Sequence, residues 1–577
     1  MRSNYDKFPY CDSGLDADAC AVGWDAIFAL ISTISTTQWT ICIETYPGAF
    51  ISEIESEIAK RLNPSIVVRA SDAYWHSSHI IEIFGDALTT DPVFGYMSDA
   101  TVDQFFDPDR LQSEQKRLSS STGIALVIGT GASLIAPHAD CLVYADMARW
   151  EIQLRQRKNF IGNLGLENLK APAAEKYKRA YFLDWRAADR LKLETLPHAD
   201  FVLDTNKPNH PLMISGTDFQ AALSKVVHAP MRLVPFFDPG PWGGQWMKEQ
   251  FDLPPEQPNY AWCFDCVPEE NSLLLGFGDL RFEVPAMDIV LLQPTALLGE
   301  EVQSKFGREF PIRFDLLDTM GGGNLSFQVH PLMEYIQQTF GLAYTQDESY
   351  YMLDAGNDAA VYLGLKSGIS PAQLELDLRR ANEGEMPFPV DDYINRISAK
   401  KHDHFLIPAG TPHCSGANSM VLEISATPYI FTFKLWDWSR LGLDGRPRHV
   451  HLDHGLNNIQ WDRDTVWVLK NLVNAIEPIA EGEGWQEERT GLHALEFIET
   501  RRYWFNRAVP LSTQGSVNVL NLVEGKEAVV ESPEDRFAPF AVHYAETFII
   551  PASAGSYTIS PLKKEARCGV IRAFVRK

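Results

Sequence analysis

The chain has 577 residues, 45% hydrophobic and 22% charged, a globular composition with room for roughly three or four domains and unlike that of a disordered chain. Its 51 Lys and Arg stand against 76 Asp and Glu, a formal charge of −25, so the overall field repels nucleic acid and anionic membranes and neither is an expected partner; an anionic substrate needs a local basic pocket. No run of about 18 uncharged apolar residues is long enough to span a membrane, no basic segment followed by an apolar core opens the chain, and eight scattered cysteines form no disulfide framework, which together point to the cytoplasm.

Taken in order, Gln38–Ile43 is β-like, Tyr46-Pro47-Gly48 breaks the strand, and Ser52-Glu53-Ile54-Glu55 opens a helix with a capping signal. Ser65–Ala70, Gly123–Gly129 and Cys141–Asp146 are further apolar strands, the last followed by a helix bearing Arg149, Arg155 and Arg157. Apolar strands alternating with helices predict a largely parallel sheet covered on both faces. The arrangement resembles the uridine-kinase type of P-loop fold, in which an Asp ends the second strand and arginines sit on a lid helix; Asp72 and Arg155 take those places. Glu44–Ser52 keeps one glycine and lacks the Gly-Lys-Ser/Thr ending, so phosphate loses its lysine and magnesium its hydroxyl ligand. Residues 1–225 are therefore expected to form a degenerate P-loop kinase-like α/β domain without ATP chemistry. Its expected role is that of a scaffold, a dimerisation surface or a regulatory site, with Asp72 and the arginines in ordinary capping and surface pairing.

Turn formers crowd Val234–Gly244, and from Leu273 to Val329 short strands follow one another between Gly and Pro signals, the pattern of an all-β barrel. Cys263-Phe264-Asp265-Cys266 is a lone CxxC, read as two half-buried strand thiols. Residues 370–398 turn helical as an excursion from the barrel. In Leu325–Pro331, strand alternation puts Gln328 and His330 on one face. Glu348 precedes an aromatic-rich strand, and His413 follows a Pro-x-Gly turn after another, so both can converge on the same interior. One amide oxygen, two imidazoles and one carboxylate make a four-ligand shell that suits one zinc ion, with iron, manganese or nickel as competitors. Beyond Arg446, His449 and His451 share a strand face without a completing carboxylate and are read as structural or exposed. Thr547–Tyr557 repeats the strand and Pro turn without the histidine.

The runs LSFQVHP, DESYYML, VYLG, HFLIPAGTPHCSG and LEIS, from about Trp242 to Arg448, resemble the type I mannose-6-phosphate isomerases, metal-dependent members of the cupin superfamily. That resemblance implies Gln328, His330, Glu348 and His413 as zinc ligands and aldose–ketose isomerisation as the activity. It also exposes departures: Asp315 and Gln346 stand where the family usually has Lys, and Lys434 stands where it has Arg, keeping the charge but losing the forked geometry. Ser326, Arg440 and Arg448 match. Lys434 and Arg440 are thus the expected catalytic residues, and Ser326 and Arg313 the expected substrate contacts, Arg313 compensating for a lost cation. The expected architecture is an N-terminal α/β parallel-sheet domain (1–225), a catalytic cupin barrel with the helical insertion (226–445) and a metal-free cupin-like barrel (446–577). The expected substrate is mannose 6-phosphate or a related sugar; the alternative is a non-catalytic sugar-binding or regulatory protein that keeps a structural metal.

Overall fold

The computed structural model describes residues 3–34, 39–427, 429–491, 493–563 and 566–576; Gln38, the expected start of the first parallel strand, lies outside them. The chain forms two compact units, an α/β unit of residues 10–226 and 268–293 and a β unit of residues 1–9, 227–267 and 294–577. Among the described residues no helix is long and apolar enough to cross a membrane.

In the α/β unit, β1 (Cys11–Asp12) and β2 (Cys20–Val22) precede the main strands β3 (Trp39–Thr45), β4 (Ile66–Arg69), β5 (Ile124–Gly129), β6 (Cys141–Asp146), β7 (Phe201–Asp204) and β8 (Leu212–Ser215). Sheet order is β2-β8-β7-β6-β3-β5-β4, with β3 to β7 parallel and β8 and β2 antiparallel at one edge. In β3 and β5 consecutive side chains are buried whichever face they point to, as a sheet covered by helices on both sides requires. Cys42, Val68 and Val127 form one face's core with Ile80, Phe84, Phe105 and Leu183. The first helix after β3 spans Ile51–Leu62 with no side-chain cap at Phe50, so it begins one residue before Ser52, which is not its cap.

The chain then contributes β9 (Phe236–Asp238) and β10 (Trp262–Cys266) to the β unit and returns with the hairpin β11 (Ser272–Phe277) and β12 (Leu280–Pro285). This hairpin, expected in the barrel, pairs instead with β1 in the α/β unit. Local alternation identified the strands; their partner lies some 260 residues upstream, beyond the reach of local pattern.

The remaining strands of the β unit's first half are β13 (Arg313–Asp318), β14 (Phe327–Val329), β15 (Asp347–Ala355), β16 (Ala360–Leu365), β17 (Ile394–Ser398), β18 (His404–Ile407), β19 (His413–Ser415), β20 (Ser419–Ala426) and β21 (Phe433–Trp436). They form two antiparallel sheets, β18-β15-β20-β13-β10-β9 and β17-β16-β19-β14-β21. Helices Pro371–Asn382, capped by Ser370, and Val390–Tyr393 fill the excursion between β16 and β17. Residues 477–575 build a six-stranded and a four-stranded antiparallel sheet. Tyr503, Leu520, Phe548 and Val570 of the first share one core with Val530, Val542, Tyr557 and Ile559 of the second. Cys263 and Cys266 are fully buried free thiols, not half-buried ones. His449 and His451 lie in no strand; His451 directly precedes the short helix Leu452–Leu456, so they share no strand face.

Candidate metal centre

Each sheet of the first half brings donors to one interior. In the five-stranded sheet Gln328 pairs with His413 on one side and with Lys434 on the other, a row that places the three side chains on one face. In the six-stranded sheet Glu348 lies opposite Ser425, Tyr350 opposite Glu423, Asp315 opposite Glu423 and Arg313 opposite Ser425, so these too share a face. His330 follows β14 and joins from its end. The ligand atoms of His330, Glu348 and His413 all lie within 4.8 Å of one another, and the three residues are completely buried.

The backbone fixes which imidazole nitrogens face inward. Nδ1 of His330 donates to the Phe431 carbonyl at 2.8 Å, and Nδ1 of His413 donates to the Thr411 carbonyl at 2.8 Å. Each ring thereby turns an Nε2 lone pair inward. Those lone pairs meet the Glu348 oxygens at 3.1 Å and 2.8 Å, an arrangement that repels itself unless positive charge lies among the atoms. A single proton serves one imidazole; one divalent cation serves both imidazoles and the carboxylate together. The Gln328 amide lies 3.3 Å from His413 Nε2, and with its oxygen turned inward it is a fourth donor. The residues therefore fit a divalent metal. Burial opposes charge on His330, but Glu348 outweighs it and raises that imidazole; burial likewise opposes charge on Glu348, and the two imidazoles hold it well below the carboxylate range.

Supporting contacts explain why this local sequence presents these groups. Gln346 donates to Glu348 Oε2 at 3.0 Å and accepts from the Phe431 N–H at 2.8 Å, so the backbone of one residue, Phe431, anchors His330 through its carbonyl and, through its N–H and Gln346, Glu348. Asp347, pushed up to about 6 by burial, accepts from the Ala409 N–H at 2.7 Å and holds the turn that delivers His413. Arg463 donates to the Pro408 and Ala409 carbonyls and to Thr411. Gly410 has φ +85°, and a Cβ there would meet Gln460 at 2.7 Å and the Asn458 carbonyl at 2.9 Å, which makes glycine necessary.

The other expected residues divide. Lys434 is half-buried beside Gln328. Arg313 is buried, 3.4 Å from Asp315 and stacked over Phe264. Arg440 is not brought into the metal group: its donors go to Asp437 at 2.6 Å and to the Asn324 carbonyl. Ser326 donates to Asp437 at 2.9 Å and accepts from Arg448 at 3.1 Å, so Ser326, Arg440 and Arg448 gather on one carboxylate. Sequence reasoning missed Glu423, whose acid is pushed well up by burial, then by Asp315 and Glu348, and missed Arg463. Glu423 could have been found as the only charged residue in the strand Ser419–Ala426. In the α/β unit, Arg155 is buried rather than poised on a lid, donating to the Gly48, Thr205 and Asn206 carbonyls.

A family model described as "Domain of unknown function (DUF8485)" matches residues 23–228. The chain is 26% identical over 319 residues to the mannose-6-phosphate isomerase of Streptococcus mutans serotype c, covering 55% of this chain and 90% of the relative. It is 23% identical over 347 residues to YvyI of Bacillus subtilis (strain 168), covering 58% of this chain and 96% of the relative. A crystal structure of the mannose 6-phosphate isomerase from Bacillus subtilis superposes with a TM-score of 0.48 at 19% identity, covering 60% of this chain and 99% of that one. Over somewhat more than half its length, the chain is homologous to mannose-6-phosphate isomerases.

Proposed function

We propose that this protein is a zinc-dependent aldose–ketose isomerase acting on mannose 6-phosphate or a related sugar. The observation that carries the reading is the convergence of two inward imidazole lone pairs and a carboxylate, completely buried, in a chain homologous to such isomerases. Two nitrogen and two oxygen donors from Gln328, His330, Glu348 and His413 suit zinc, which when bound supplies Lewis-acid polarisation of sugar oxygens.

The chain's own residues do the rest. Isomerisation moves one proton between C1 and C2 and one between the oxygens they carry, with no net gain or loss of electrons, and needs an acid–base group inside a dry interior. Glu423 shares the interior face with Glu348 and Tyr350 and is suited by position to carry that proton. Lys434, in the row with Gln328 and His413, places a cation where negative charge develops on the sugar oxygens. Ser326 with Arg440 and Arg448, two guanidiniums on the single carboxylate of Asp437, offers the net positive charge that a phosphate requires.

The test is metal analysis of the purified protein followed by turnover assays with mannose 6-phosphate and with mannose. Stoichiometric zinc with isomerisation of either sugar supports the reading, and the preferred sugar fixes whether phosphate is read. Full metal occupancy with no turnover of either, together with sugar binding that Lys434→Ala leaves unchanged, replaces the isomerase by a sugar-binding protein with a structural metal. Asp315 and Gln346, which remove two expected cations, favour that second reading.

A further inference from the structure

The α/β unit holds a cavity of about 530 Å³ at the carboxyl ends of β3, β4 and β5, within the size range of small-molecule sites. Here the strand order reverses. From β3 the chain steps to β4 on one side, and from β5 it crosses to β6 on the other, so the loops diverge and leave a crevice. The turn Pro47–Ala49 forms one wall, the segment after β4 a second, and residues 160–167 a third.

The lining is chemically distinct from the molecule that carries it. The chain bears −25 overall, yet the charged side chains lining the cavity are Arg69 and Arg110 against the single carboxylate of Glu167, with Glu55 behind Arg69 and Asp107 3.7 Å from Arg110 outside the lining. Arg110 is fixed by donating to the Tyr74 carbonyl at 3.0 Å and to His76 Nε2 at 2.8 Å, which leaves the His76 proton on Nδ1 as a further donor. Arg69 is held in place by a two-pronged contact with Glu55 at 2.6 and 2.7 Å. The rings of Trp75 and Phe160 line the cavity together with that of Tyr74, and Phe160 is 61% exposed, an apolar ring available for stacking.

We infer that this cavity is a second ligand site of the chain and binds a phosphate monoester carried on a ring, the phosphate against Arg69, Arg110 and His76 and the ring against Trp75 or Phe160. The guanidinium N–H groups that Glu55, Tyr74 and His76 do not take remain to donate to the acceptor oxygens of a phosphate dianion. The turn at 47–51 has no lysine, and transfer of the phosphate is not part of the inference. The ring of a sugar phosphate and that of a nucleoside monophosphate meet the same description, and the experiment separates them.

Isothermal titration of the full-length protein with mannose 6-phosphate, with adenosine monophosphate and with inorganic phosphate is compared for wild type, Ser71→Glu, Arg110→Gln and Lys434→Ala. Ser71 is exposed at the cavity wall, so Ser71→Glu adds an anion there without disturbing the core; a thermal melt checks its fold. The expected result is that one ester shows a binding event beyond that at the isomerase centre, that Ser71→Glu and Arg110→Gln each weaken this second event at least tenfold, and that Lys434→Ala leaves the second event alone while isomerase turnover of Ser71→Glu stays at the wild-type level. The inference is overturned if neither ester shows that second event, if Ser71→Glu retains it as wild type does, if Lys434→Ala alone abolishes it, or if inorganic phosphate binds as tightly as both esters.

Discussion

Gln346 stands where the isomerase resemblance leads one to expect lysine, and its loss of charge reads from the sequence as a loss of substrate binding. The structure gives it other work, since its amide joins Glu348 to the Phe431 N–H. Such a support orients the ligand it touches, and its removal commonly costs 10–100-fold in metal affinity. Gln346→Ala is expected to weaken zinc binding by about that factor in a competition titration; unchanged affinity shows that the amide is idle. Lys434→Ala is expected to lower kcat/KM by about a hundredfold or more, with Lys434→Arg tolerated, as for a charge placed against a developing anion. Steady-state kinetics on metal-loaded protein decide it. The candidate ligands were legible because their signals are short-range, a two-residue alternation for Gln328 and His330 and a Pro-x-Gly turn for His413. Glu423 and Arg463 were not, because one reaches the interior through pairing with β13 and β15 and the other through contacts with a turn more than fifty residues away.

At the scale of the element, the last residue but one of β3 is Glu44, whose carboxylate accepts from the Gly131 and Ser133 N–H groups and the Ser133 hydroxyl. Burial pushes it from an ordinary 4.5 up to about 7, against the pull of those donors. A folded-state value above the unfolded one means that the folded chain holds this proton more tightly. The stabilisation is whole below about pH 4.5 and is lost as pH rises toward 7. Denaturant unfolding of the α/β unit followed from pH 4.5 to 8 is therefore expected to show this loss, and Glu44→Gln to flatten the slope; parallel curves for both proteins remove Glu44 as its source. The parallel strands were legible as apolar runs between breakers. The role of Arg155 was not, because a guanidinium that binds backbone carbonyls looks in sequence like one on a solvent-facing helix.

For the whole molecule, a metal held by His330, Glu348 and His413 would couple two sheets that otherwise bring two imidazole lone pairs against a carboxylate. Binding at a concentration about a hundredfold above Kd stabilises the folded form by about 2.7 kcal/mol. Chelation is accordingly expected to lower the Tm of the β unit and to raise hydrogen exchange at β14, β15 and β19, with excess zinc restoring both. An exchange pattern indifferent to chelator separates the metal from the stability of that unit. The two-unit architecture itself was legible only in outline, because composition marks a junction near residue 225 but says nothing of a chain that crosses it more than once.

That interleaving sets an order of events during synthesis. The α/β unit is not closed when residue 226 leaves the ribosome, since β11 and β12, together with Glu269 and Asp288, are still to come. Until they arrive, Arg149 lacks its Glu269 partner, and Lys192, which contacts Asp146 and Asp288 at 2.8 Å each, has one carboxylate in place of two. A recombinant fragment cut at 226 inherits the same deficit: two buried cations each short of one counter-ion, and β1 without its strand partner β11. The matched span 23–228 is thus a poor guide to an expressible piece, and a fragment that carries 268–293 on a linker is expected to be the more soluble and the more resistant to proteolysis.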